Sequence, residues 1–246
     1  MKQYNLYAGK IVLDFNEEKH LYTIDNKHIP GCTSILQVIA KPALFYWGIN
    51  QTIEYIKENI KAGQALDELQ LKSLLQEARW AHKKKKDTAA DIGTFVHQWC
   101  EDYIKGLKPA LPINESIKNG VNAFLNWKKE NKVKFHLSEQ IVYSKKYNYA
   151  GTFDFYAEVN GKNFLGDFKT SSGIYPEMFF QTAAYQMARQ EEYPKEKYDG
   201  NLILRLGKDG EFEAKESYEY DKNCTAFCAA VALHKRMQEL TPKYNA

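Results

Sequence analysis

Apolar and polar positions along this chain change period twice. Between residues 1 and 40, short apolar runs alternate with turn residues around Asp25-Asn26 and end in IPGCTSIL, which predicts short strands followed by a short helix that Thr33 or Ser34 could cap. From Glu68 to His82, Leu71, Leu74, Leu75 and Ala78 recur with the 3.6-residue period of an amphipathic helix, and the run HKKKK at 82–86 closes it. Basic residues suit a helix C-terminus, so a solvated helix end accounts for that run; a phosphate-contacting patch is the sharper alternative. A second helix is predicted from Thr88, with Asp91 completing a capping box and Ile92, Val96, Trp99, Tyr103 and Leu107 as its buried stripe. His97 and Glu101 lie off that stripe and four apart, on one helix face, where both could point at a common site. Residues 115–130 predict a third helix with Ile117, Val121, Phe124 and Leu125 inward.

The pattern then turns to strands. IVYSKK near residue 141 is followed by YAGTFDFYAEV and NFLGDFK, the last two joined by Asn160-Gly161, the strongest short hairpin signal a sequence carries. A helix with Pro176 near its start follows, then NLILRL and EFEAKESYEY as a strand pair around Lys208-Asp209-Gly210, then a closing helix over 222–239. The order predicts an α/β fold: a mixed, twisted central sheet flanked by helices, with a small N-terminal extension. We read residues 1–246 as one domain, with 1–66 as the extension and 67–246 as the core.

A two-residue turn at Asn160-Gly161 sets Val159 against Lys162, and counting back along both strands sets Asp154 opposite Asp167. Side chains so placed have Cβ atoms roughly 4.5–5.5 Å apart, and like charges there repel. Either one carboxylate holds a proton or a cation sits between them. Lys169, two residues beyond Asp167, shares its sheet face, while Phe153, Phe155 and Phe168 are expected to pack the other. Two carboxylates with open coordination positions suit Mg²⁺ or Mn²⁺ better than Zn²⁺. Such a site could orient a water and neutralise charge during phosphodiester displacement, with Lys169 positioning or deprotonating that water. The bland alternative is a pair of partly exposed aspartates on a sheet edge with Lys169 as an ion-pair partner.

Composition adds little. A net charge of +3 and a pI near 8.4 are compatible with a polyanion partner without requiring one. No run of eighteen apolar residues occurs and the first thirty residues lack a signal-peptide centre, so a soluble, intracellular, cytoplasmic protein with no membrane partner is expected. Four cysteines in 246 residues do not suggest a disulfide framework. No P-loop pattern is present, so the chain should not by itself couple its activity to nucleotide hydrolysis.

GTFDF, LGDFKTS and FFQTAAYQMA resemble three consecutive motifs of the RecB-type branch of the PD-(D/E)XK nuclease superfamily, and GTFVHQW resembles its upstream G-x-x-x-H motif. YTIDNKHIPGCTSIL is similar to segments of phage and mitochondrial-genome-maintenance-type exonucleases of that branch. The resemblance implies a restriction-endonuclease-like core in which Asp154 and Asp167 are metal-binding carboxylates and Lys169 is the catalytic lysine. It also implies His97 and the backbone carbonyl of Phe168 as further metal ligands, with Gln181 and Tyr185 supporting the site and contacting DNA. Glu139 resembles an acidic position that some relatives use, and Glu101 could reach the same face. Some members hold an iron–sulfur cluster through one upstream and three downstream cysteines. Here Cys32 and Cys100 precede the core motifs and only Cys224 and Cys228 follow, so buried thiols are the expectation rather than a cluster. The function implied is an Mg²⁺- or Mn²⁺-dependent deoxyribonuclease, an exonuclease on DNA ends or single strands, in phage or mobile-element replication, recombination or repair. The rival is a non-catalytic nucleic-acid-binding module on the same fold.

Overall fold

Nine strands and six α-helices are formed among residues 1–61 and 63–241, which the computed structural model describes. The chain divides into two compact units, Ala40–Phe95 and the remainder on either side of it.

In the larger unit, strands β1 (Lys2–Leu6), β2 (Ile11–Asn16), β3 (Leu21–Ile24) and β4 (Lys27–Ile29) form a small antiparallel sheet. Its last hairpin turns at Asp25 and Asn26, with φ of 49° and 59°, the left-handed conformations that a two-residue turn requires. A short helix, α1 (Cys32–Ile35), follows. Its N-cap is Gly31 and no side chain caps it, so the caps expected at Thr33 or Ser34 are not made.

The central sheet runs β5 (Val133–Ser144), β6 (Tyr149–Val159), β7 (Lys162–Lys169), β8 (Gly200–Leu206) and β9 (Phe212–Ser217), in that order. Only β7 and β8 are parallel, and helix α5 (Pro176–Glu192) supplies the long crossover that a parallel pair needs. Helix α4 (Glu115–Glu130) brings Phe124 and Trp127 against Phe135, Phe155 and Phe168. On the other face, α5 and α6 (Tyr220–Leu240) contribute Tyr185, Ala188 and Phe227 to a core with Tyr149, Phe153 and Leu165. The result is α/β: a mixed sheet between helices with a small antiparallel sheet ahead of it, the restriction-endonuclease-like arrangement.

Two local expectations need correction. No helix starts at Thr88: helix α3 runs unbroken from Glu68 to Ile104, and Thr88 Oγ1 donates to the Lys84 carbonyl at 3.0 Å, satisfying itself inside the helix. Lys83–Lys86 are therefore exposed mid-helix residues to which the dipole argument does not apply, and Leu107 lies beyond the helix end, 66% exposed. Phe153 and Phe155 do not share a face. Phe153 packs with Leu165 and Tyr185, whereas Phe155 meets Phe135 edge to face and Phe168 at a tilt. Residues two apart in a regular strand point the same way, so β6 departs from regular geometry between them, at Asp154. Among the described residues, no helix is long and apolar enough to cross a membrane.

Candidate active site

The irregularity at Asp154 begins with the hairpin. Val159 pairs with Lys162, with Asn160 at φ 51° and Gly161 at φ 84°, and the β6–β7 ladder continues to Phe155 and Gly166, where it stops. The Phe155 ring fills the space that a Cβ on Gly166 would occupy. Asp154 and Asp167 are the next facing positions, left free of the ladder. Asp154 instead takes the Phe168 backbone N–H on Oδ2 at 2.5 Å.

Strand β5 is irregular at the same level. Ser138 pairs with Phe155 and Gln140 with Phe153, which leaves Glu139 opposite Asp154 without a ladder pair. Glu139 sits at φ 47°, a left-handed conformation that a glutamate adopts only when its surroundings impose it. From α3, His97 brings Nδ1 to 3.3 Å from Asp154 Oδ1 and sets its ring edge-on to Phe168. One ligand atom from each of His97, Glu139 and Asp154 lies within 4.8 Å of the other two.

Asp167 is buried beside this trio, 3% exposed. Its Oδ2 is in ion-pair contact with Lys169 Nζ, yet no hydrogen bond of good geometry reaches that oxygen. Lys169 Nζ donates to Gln181 Oε1 at 3.0 Å, and Gln181 Nε2 donates to Tyr185 OH at 2.6 Å and to Thr33 Oγ1 at 3.0 Å. Tyr185 lies over Gly151, where an added Cβ would meet its Cδ1 at 2.8 Å and Cys32 Sγ at 3.1 Å; the glycine of GTFDF is thus a requirement of close packing.

With this constellation in view, the comparison with known families is decisive: residues 43–190, more than half of the chain and including every side chain just named except Thr33 and Cys32, match the Tsp45I type II restriction enzyme. The chain belongs to the Tsp45I type II restriction enzyme family. This is a family of PD-(D/E)XK type whose members act on DNA, and such enzymes typically use Mg²⁺. No curated protein matches the chain.

The donor set fits a divalent cation. Two carboxylates and an imidazole converge, and Asp167 adds a buried oxygen with an unused lone pair. Of the ligands expected from the sequence, His97 and Asp154 are brought together, Asp167 stands next to them, and Phe168 presents its N–H to Asp154. Glu139 completes the trio. It was legible only as an acidic position of relatives, although the four-residue turn Lys145–Asn148 carries the missing information. Ser144 pairs with Tyr149 across that turn, and counting back from there sets Glu139 against Asp154. Glu101 reaches the same neighbourhood, where it bonds Lys105 and its charge acts on Glu139.

Electrostatics in this cluster separate the acids. Burial would raise Asp154, but His97, Lys169 and the Phe168 N–H outweigh it and hold the carboxyl below its usual range. Asp167 goes the other way: burial, opposed by Lys169 and reinforced by Asp154, pushes it up to about 6. Burial and the charges of Asp154 and Glu101 push Glu139 up to about 9. For His97, burial disfavours the imidazolium, yet the Asp154 charge and hydrogen bond, with Asp167, win and raise it. Cys32 and Cys100 are buried, and Cys32 packs among Tyr149, Phe153 and Tyr185.

Proposed function

We propose that this chain hydrolyses phosphodiester bonds of DNA, using Mg²⁺ or Mn²⁺ held by His97, Glu139, Asp154 and Asp167. The observation that carries the reading is the gathering of His97, Glu139 and Asp154 at the point where both β-ladders lapse, with Asp167 and Lys169 beside them. Strain at Glu139 and buried like charges cost stability, which is the signature of a site built for chemistry rather than for folding. The bound ion supplies charge neutralisation at the phosphate and a more acidic water. Lys169, whose ammonium contacts Asp167 and donates to Gln181, would stabilise developing charge or position the attacking water. Gln181 and Tyr185 brace Lys169 from α5. Retention of both acids and the lysine favours an enzyme over a non-catalytic DNA-binding module.

Family membership supports cleavage within DNA, as restriction enzymes perform it. A second reading, favoured by His97 on G-x-x-x-H and by Gln181 and Tyr185 on Q-x-x-x-Y, is a RecB-type exonuclease on DNA ends, with the replication, recombination or repair role in phage or mobile elements that such a role would carry. Incubation with closed circular and linear DNA in Mg²⁺ or Mn²⁺ separates the two. Linearised or fragmented circles support the endonuclease; loss of linear DNA with circles spared supports the exonuclease; neither, in both metals, overturns the nuclease reading.

A further inference from the structure

Helix α1 packs against α5 and β6, and its place is fixed by the Ala150 N–H, which donates to the Pro30 carbonyl at 3.0 Å, and by Cys32 and Ile35 in the core. Thr33 and Ser34 are the α1 residues left exposed, and the Thr33 hydroxyl caps nothing. It accepts from Gln181 Nε2 at 3.0 Å instead, across 148 positions of sequence. Both N–H groups of the Gln181 amide are then used, donating to Thr33 and to Tyr185, and its carbonyl oxygen accepts from Lys169. Turned over, the amide would set N–H against the Lys169 ammonium, donor against donor. Tyr185 by itself engages only one of the two N–H groups, and the terminal torsion of glutamine is soft. The second anchor comes from Thr33.

We propose that Thr33 is a positioning residue of the cleavage site: its hydroxyl locks the Gln181 amide with the carbonyl oxygen on Lys169, and so holds the ammonium beside Asp167. This rests on the nuclease reading above for its kinetic consequence and on the hydrogen-bond chain for its structural one. The N-terminal IPGCTSIL segment thereby becomes part of the active site, although it lies outside the stretch that matches the restriction enzyme family.

Thr33 is exposed apart from this bond, so Thr33→Val removes the acceptor at nearly constant shape with little effect on the melting temperature. At saturating metal and DNA, Thr33→Val should lower kcat about tenfold with KM unchanged, the scale of one lost hydrogen bond to a group that matters in the transition state. Thr33→Ser should restore the rate. In a Gln181→Ala background, adding Thr33→Val should change nothing further, because coupled residues are non-additive. A second readout needs no activity: the side-chain amide resonances of Gln181, identified by their loss in Gln181→Ala, should shift in Thr33→Val and return in Thr33→Ser. Wild-type kcat in Thr33→Val, an effect confined to KM as for a direct DNA contact, or full additivity with Gln181→Ala would each overturn the proposal. Should the wild type cut no DNA in either metal, the nuclease reading fails by itself, and the amide spectrum decides: a shift in Thr33→Val upholds the positioning role and an unmoved spectrum overturns it.

Discussion

Glu139 stands opposite Asp154 across β5 and β6, in the gap between the pairs Ser138–Phe155 and Gln140–Phe153, with its backbone in the left-handed region. Two carboxylates so placed repel unless a proton or a cation intervenes. That relationship sets the pH and metal behaviour of the whole site.

The sign of the pH effect follows from Glu139, whose folded-state value near 9 lies above its ordinary 4.5. Between those values the folded chain binds more protons than the unfolded one, so metal-free stability is greatest at the acid end and falls as the pH rises toward 9. Glu139→Gln removes the titration. In EDTA, the melting temperature of this variant should fall less than that of the wild type between about pH 6 and pH 9, a comparison that thermal melts provide.

Metal binding should release protons. Burial and the charges of Asp154 and Glu101 push Glu139 up to about 9, so near neutral pH it carries a proton that a cation must displace. Affinity for Mn²⁺ should therefore weaken as the pH falls, and titration calorimetry in buffers of different ionisation enthalpy should report net proton release. Mn²⁺ should also raise the melting temperature of the wild type more than that of Glu139→Gln.

Lys169→Ala should leave the fold intact, because Lys169 lies at the end of β7 and is partly exposed. Its loss should lower the cleavage rate by about 10²–10⁴-fold, the range for removal of a positioned proton-transfer or charge-stabilising group. Asp167→Asn should do the same while leaving Lys169 without its ion pair. Single-turnover kinetics at saturating DNA separate these losses from weaker binding.

Gly151→Ala tests the packing beneath the site. Its methyl group would meet the Tyr185 ring and Cys32, both buried, so the chain should lose about 1–3 kcal/mol of stability by overpacking. Displacement of Tyr185 should also loosen Gln181, and cleavage should fall at temperatures where the variant is still folded. Denaturant unfolding checked against the rate at low temperature measures both effects.

Much of this was legible in the chain because its signals are local. Asn160-Gly161 fixes a register, and the register alone puts Asp154 against Asp167 and Lys169 on the same strand end. Pro176 at the start of α5 and the four-residue spacing of Gln181 and Tyr185 are equally local. What escaped depends on tertiary context. The Thr88–Asp91 pair looks like a helix start, yet a threonine can back-bond to the carbonyl four residues earlier, and α3 continues through it. Strict alternation sent Phe153 and Phe155 to one face, and the irregularity at Asp154 that separates them has no sequence mark. Thr33 read as a cap because its partner, Gln181, is distant in the chain.

The most direct test of the central claim is single-turnover cleavage of DNA by the wild type and by Lys169→Ala, each in Mg²⁺, in Mn²⁺ and in EDTA. The account predicts cleavage by the wild type in either metal, none in EDTA, and a loss of at least about a hundredfold in Lys169→Ala. Cleavage that persists in EDTA, or that Lys169→Ala retains at the wild-type rate, would contradict it.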